Sequence, residues 1–485
     1  MRKTFSWLLA LAMMVGLLAV ALPAQADYVK LTWAQGTGAD APNDVAEVNE
    51  ALNVISREKL GVEVDILYFT GEQIRTSVLA GEVYDMYFTC DWYNDYVTQS
   101  FNGIFADITD KVKEWTPDLY ATMPEEVWEL SKVDGKLFAI PVKKDYCPEI
   151  FVIFDRALFA ELGMEIPMEM NLLDLTPYLE AYKEVYPDGY PLMLSKGSSV
   201  DGIFNYINRD TLIGFPYSAA GTENATKIIS VFEDEEMIVR FNKMREWFEA
   251  GYINPDASTT ESGSIDNKVN FIKFGQGFYG ADTIWSASYQ YPVQITKISG
   301  PYLSASGVRG SMNALSVTLE DDLERFELAL KYQELVNTDL IYRDILRYGV
   351  EGKHFVYNDD GTVTKTDDGV NNYAPWPFSQ GSYALSRPEY AEGVYTDPNM
   401  WAVIFSSYAN AKATKTIGFS FDPINVEAEI GSLQAIKTKY WEGLATGTLN
   451  PEDTVATYVA EAEAAGIRRV VEECQRQLDE FISGN

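Results

Sequence analysis

Between Val29 and Thr89 the spacing of apolar residues switches repeatedly, and this restricts the fold more than any other feature of the chain. Val29, Leu31 and Trp33 alternate, as in a strand. Pro42-Asn43-Asp44 then opens a helix whose apolar face is Val45, Val48, Leu52 and Ile55. Gly61 stands where the end of that helix wants a left-handed residue. Val62, Val64 and Ile66 alternate again, Gly71 leads into a helix carrying Ile74, Val78 and Leu79, and Tyr84 to Thr89 reads as a third strand. Strand-helix-strand-helix-strand predicts a parallel sheet with helices on its faces. Ligands of such sheets sit outside the carboxyl ends of the strands.

Two segments fall at those ends. One is the loop Gln35 to Asp40, which puts Gln35 at the rim. The other is Cys90-Asp91-Trp92-Tyr93-Asn94-Asp95-Tyr96, where rings are interleaved with short polar groups. An aromatic face covers an apolar patch, while Asp and Asn hydrogen-bond a polar rim. Asp91, Trp92, Tyr93 and Asn94 are therefore candidates for a ligand site. The alternative is that Trp92 packs beneath a helix of its own domain.

The whole chain is too long for one core: 485 residues make two domains the default and three possible. Asp134-Gly135 marks a tight turn, Leu137 to Val142 a strand, and Asp145 to Phe154 a strand entering a new unit whose helix is capped by Asp155. Helix patterns follow at 174–186 and 235–250. The Gly-rich strand Phe274 to Gly280 precedes Trp285, which either faces a ligand or packs in a core. Ser311 to Val317 reads as a strand, Thr318 onward as an acidic-start helix, and 355–363 as a hairpin around Asp360-Gly361. Pro451 opens a helix near the end, and Gly466 interrupts the pattern before a last helix to Ile482.

Residues 1–26 read as a secretory signal: Arg2 and Lys3, an apolar run from Phe5 to Leu22, and Ala24-Gln25-Ala26 as the cleavage site. Removing Arg2 and Lys3 takes the formal net charge from −34 to −36. So acidic a chain repels phosphate backbones, and no basic cluster offsets this, so nucleic acid is not an expected partner. Three cysteines, Cys90, Cys147 and Cys474, do not suggest a disulfide framework, and Cys474 falls on the apolar face of the last helix. His354 is the only histidine, which argues against His-rich metal sites and most His-dependent triads. No cofactor motif and no metal site is expected.

The phrases SVLAGEVYDMYFT, GKLFAIPV followed by FVIFDRALFAELG, and SMNALSV with ERFELALKYQELV occur in the order of the extracellular solute-binding proteins of ABC importers, carbohydrate-type family 1. YGVEGKHF, GFSFDP and the run from Tyr440 to Phe481 resemble the LipO-like subgroup. The resemblance covers nearly the whole chain after residue 26. It implies the α/β two-lobed periplasmic-binding-protein fold, each lobe a mainly parallel sheet flanked by helices, with the ligand cleft between lobes. On that pattern lobe 1 is 27–145 plus 298–350, and lobe 2 is 146–297 plus 351–485 with a C-terminal helical region. The implied function is capture of a sugar or oligosaccharide and delivery to membrane permease subunits, without chemistry, by a monomer.

The implied crossover puts Lys144 and Tyr146 at the cleft floor, where the alternative is a solvated turn. Trp376 and Gln380 resemble a subgroup segment in which an aromatic and an amide approach the cleft. Asp27 follows the cleavage site where lipid-anchored members have Cys, so an exported protein without a lipid anchor is expected, periplasmic or at the cell surface. A secreted glycoside hydrolase, and a binding protein for peptides or another polar metabolite, are the competing readings.

Overall fold

The computed structural model describes residues 28–484 apart from 39, 199, 220–221, 262–271, 290, 391–396, 398, 410, 414–415 and 417. The signal expected over 1–26 lies outside the described residues.

The opening pattern folds as its period dictates. Strands β1 (Val29–Gly36), β2 (Val62–Phe69) and β3 (Met86–Thr89) pair in parallel, with β1 in the middle. The helices Val45–Leu60 and Gly71–Leu79 connect them, the first closed by Gly61 in the left-handed region and the second opened by a capping box of Thr70 and Gln73. The sheet continues through β12 (Met312–Leu315), antiparallel to β3, to β4 (Ala139–Pro141) at the edge, giving the order β2-β1-β3-β12-β4. Alternation then sorts side chains: Leu31, Trp33, Met86 and Leu315 enter one core, while Ala34, Tyr87 and Ala314 enter another on the opposite face.

A second core forms around β5 (Glu149–Asp155) with β9 (Lys273–Gly277) and β10 (Val293–Ser299), in the order β10-β5-β9. Both pairings are antiparallel, which corrects the expectation of a mainly parallel sheet here. The reason is the connection: β10 follows β9 through the single helix Ala281–Tyr289 and pairs with the other edge of β5 in the reverse direction. A small antiparallel sheet, β6 (Phe204–Asn208), β7 (Ile213–Pro216) and β8 (Ile229–Ser230), completes the unit. The C-terminal helices Glu427–Ala445, Pro451–Ala464 and Ile467–Ser483 add Leu433, Trp441, Tyr458 and Cys474 to this core.

Several described residues between 351 and 408, grouped with the second lobe by sequence, pack instead against the core that holds Trp33 and Met86. Tyr373, Tyr383, Met400 and Ile404 join that core, and buried His354 meets Asp44 at 3.0 Å while accepting from the Val350 amide. Asp44 therefore holds His354 instead of capping the helix that starts at Val45. Three stretches link the lobes: the one between β4 and β5, the one between β10 and β12, and the one after Met400–Tyr408. The last two pair in parallel, β11 (Tyr302–Leu303) against Lys412–Ala413.

Candidate functional site

Where these stretches cross, a cleft of 790 Å³ opens between the cores. Its first wall starts at the end of β3. Asp91 and Trp92 follow the strand after Cys90, and the short helix Tyr96–Phe101 is capped by Asp95. Asp95 holds a φ of 42°, a conformation Asp tolerates, and accepts from the Thr98 amide at 3.1 Å and hydroxyl at 2.7 Å. The Trp92 ring is 52% exposed, and its Nε1 donates to the Gly310 carbonyl at 2.8 Å. Its ring centroid lies 5.7 Å from that of Trp376 and 6.2 Å from that of Phe378, which also lines the cavity. A Cβ on Gly36 or Gly38 would stand 3.1 Å from the Trp376 indole, so the glycines of the Gln35–Asp40 loop make its seat.

The segment 376–383 is fixed from several sides. Ser311 Oγ donates to the Phe378 carbonyl at 2.5 Å, Asn313 Nδ2 to that of Ser379 at 3.1 Å, and Arg343 Nε to that of Ser382 at 2.9 Å. Phe378 and Tyr383 are thereby set against the cleft.

The second wall comes from β6 and the turn beyond it. Asn205, Tyr206, Asn208, Arg209 and Asp210 all line the cavity. Arg209 pairs with Asp201 at 2.9 Å and lies 4.7 Å over the Tyr206 ring. Trp285 joins them from the helix after β9, where a Cβ on Gly277 would meet its ring at 2.6 Å. The Gly-rich strand is thus the bed of that indole. At the floor Tyr217 stacks on Tyr302 of β11, with centroids 3.7 Å apart and planes 2° from parallel. Lys144 and Asp145 pair at 2.8 Å, and Arg309 donates to Ser420 Oγ of the other lobe at 2.7 Å and to the Lys132 carbonyl.

Of the ten residues singled out by sequence, Asp91, Trp92, Lys144 and Trp285 meet in this cleft. The others do not line it. Gln35 is buried and donates to Asn313 at 3.2 Å, and Gln380 is buried and donates to Tyr68 at 2.9 Å. Tyr93 donates to the Phe69 carbonyl, Asn94 is buried beneath the strand end, and Trp376 backs Trp92. Tyr146 stacks on Phe405 at 5.8 Å inside the first core. The sequence reading missed the β6 wall, Phe378 and Arg309. Its own criterion could have found the first of these: Asn205-Tyr206-Ile207-Asn208-Arg209-Asp210 mixes a ring with short polar groups just as Asp91 to Asn94 does.

Cys90 and Cys147 are free and buried, and burial pushes both thiols up. Among the described residues no group of His, Cys, Asp and Glu is arranged to hold a metal ion.

Asp91 carries the most perturbed carboxylate of the cleft. Water reaches it, yet protein encloses it from both sides, and this loss of solvation pushes its pKa up to about 7. Arg309 opposes the shift and Asp95 adds to it. An acid whose folded pKa is raised binds more protons folded than unfolded, so stability falls as pH rises from about 4 to about 7. Asp91→Asn should therefore raise the melting temperature at pH 8 and change it little at pH 4.5, as read by thermal denaturation at both values.

Comparison with known proteins fits this geometry. Residues 415–483 match a domain of unknown function, DUF3502. That stretch supplies Thr416, Phe419, Ser420 and Phe421 to the cleft, followed by the three C-terminal helices. The chain is 24% identical over 454 residues to a carbohydrate ABC transporter substrate-binding protein of Streptococcus pneumoniae serotype 4 (strain ATCC BAA-334 / TIGR4), covering 91% of this chain and 89% of the relative. It is 22% identical over 346 residues to the polygalacturonan/rhamnogalacturonan-binding protein YtcQ of Bacillus subtilis (strain 168), covering 65% and 66%. The crystal structure of the N-glycan transport solute binding protein NgtS from Streptococcus pneumoniae superposes with a TM-score of 0.81 at 23% identity, over 94% of this chain and 99% of that one. The fold is that of the two-lobed solute-binding proteins.

Proposed function

We propose that this chain, one of the solute-binding proteins of carbohydrate ABC importers, captures an oligosaccharide between its lobes and hands it unaltered to a membrane permease. One observation carries the reading: a 790 Å³ cleft at the crossing strands, with aromatic rings on both walls and hydrogen-bonding side chains between them. Trp92 and Phe378 offer ring faces to sugar C–H patches from one wall, and Trp285 and Tyr206 do so from the other. Asp91, Asn205, Asn208 and Asp210 offer partners to the hydroxyls. The structure of NgtS in complex with Man5GlcNAc, which superposes with a TM-score of 0.77, supports a ligand of several sugar rings.

We take the first lobe as 28–143 with 300–411 and the second as 149–299 with 416–484. They close about the three crossing stretches in a hinge motion. The protein works outside the cytoplasmic membrane, consistent with a signal removed after Ala26.

The test is a thermal-shift screen of oligosaccharides that includes Man5GlcNAc, with the recovered sugar then assayed for new reducing ends. A ligand bound only by the folded chain raises the melting temperature, by roughly 2.7 kcal/mol of added stability at a hundred times Kd. The expected result is a shift with the sugar recovered intact. Steady release of reducing ends would make the protein a glycoside hydrolase. A shift with oligopeptides alone would make it a peptide-binding protein.

A further inference from the structure

We propose that the cleft selects uncharged oligosaccharides and rejects those built from uronic acids. The inference rests on the carbohydrate-binding reading and narrows it.

The charged side chains lining the cavity are five carboxylates and three cations. Two of the cations are already paired with carboxylates. Lys144 is held by Asp145 at 2.8 Å, and Arg209 by Asp201 at 2.9 Å. Arg309 is buried and donates to Ser420 and the Lys132 carbonyl through one nitrogen, and among the described residues no carboxylate pairs with it. Two of the remaining carboxylates have partners too: Asp95 caps its helix through Thr98, and Asp210 lies 3.6 Å from Lys437. Asp91 is left, open to the cleft beside Trp92, and among the described residues no side chain donates to its carboxylate.

A sugar hydroxyl suits that carboxylate, because it donates to Asp91 and accepts from neighbouring amides. A uronate suits it badly. Its own carboxylate would enter a cavity with five carboxylates against three cations, two of which are already paired. Asp95 and Asp210 face the cavity from the two walls: burial raises the pKa of Asp95, and the charge of Asp210 adds to that rise. Charge repulsion of this kind acts as an exclusion filter, and the formal charge of −34 on the whole chain acts in the same direction at longer range.

Titration calorimetry at pH 8 decides the matter, comparing Man5GlcNAc, mannotetraose and N-acetylchitotetraose with tetragalacturonate and tetramannuronate. The expected result is a neutral glycan bound at least about tenfold more tightly than either uronate, a gap that shrinks between low and high salt. Asp91→Asn should improve uronate binding about threefold or more relative to the neutral glycan. The salt series on the unaltered chain tests the same charge effect if that variant folds poorly. A uronate bound as tightly as the best neutral glycan would overturn the inference and leave the carbohydrate reading in place. Binding by none of the five would remove the carbohydrate reading itself.

Discussion

Trp92→Ala is expected to weaken oligosaccharide binding by about thirtyfold, or roughly 2 kcal/mol, in titration calorimetry. The ring is half exposed to the cleft, so removing it takes little from the core of the unliganded protein. What it removes is a platform already held in place: the indole N–H is fixed to Gly310, and Trp376 and Phe378 pack beside the ring. A ring that needs no ordering on binding delivers its full contact to the ligand. The melting temperature without ligand should move by no more than about 3 °C. Trp92→Phe keeps an aromatic face but loses the tether to Gly310, and should fall between the two. Unchanged affinity in Trp92→Ala would move the ligand to the β6 wall.

Trp92 was legible because a parallel strand end is a place that sequence can locate. Period changes gave the strands of the first sheet, and the parallel-sheet rule pointed past their ends. The β6 wall escaped for the opposite reason: β6 is short and antiparallel, so no rule places its end, although Asn205 to Asp210 carries the same mixture of rings and short polar groups. Gln35 and Gln380 show another limit. A buried amide and a cleft amide look alike in sequence, and what decides between them is a distant partner, Asn313 in one case and Tyr68 in the other. Tyr146 is similar, since Phe405 and Tyr408 arrive from more than 250 residues away to enclose it. The packing of Tyr373, Tyr383 and Met400 against the core of Trp33 and Met86 also depends on pairings across the chain, as does the contact of His354 with Asp44. Local pattern carries the elements; pairings across the chain decide which side chains remain open to a ligand.

Arg343→Met should have the largest effect on stability, and should reach the ligand without touching it. Arg343 is fully buried in the helix Leu340–Tyr348, and among the described residues no carboxylate pairs with it. Burial, reinforced by the charge of Arg347, pulls its pKa down to about 10, so it stays charged at neutral pH. Its partners are backbone carbonyls, Ser382 at 2.9 Å and Pro377 at 2.5 Å, which lie at either end of the segment bearing Phe378. Methionine fills much of the volume but donates nothing, leaving those carbonyls without their donor. The expected cost is roughly 3 kcal/mol of first-lobe stability, seen as a lower melting transition. Once the segment loosens, Phe378 is no longer held beside Trp92 at the cleft, and oligosaccharide affinity should fall about tenfold even below the melting range. Arg343→Lys separates the two effects: a single ammonium keeps the charge and can reach one carbonyl, but it cannot fork to both. It should recover part of the stability and less of the affinity. If Arg343→Met melted and bound like the unaltered chain, then Ser311, Asn313 and Asn337 alone would suffice to hold the segment, and the buried guanidinium would have no part in shaping the cleft.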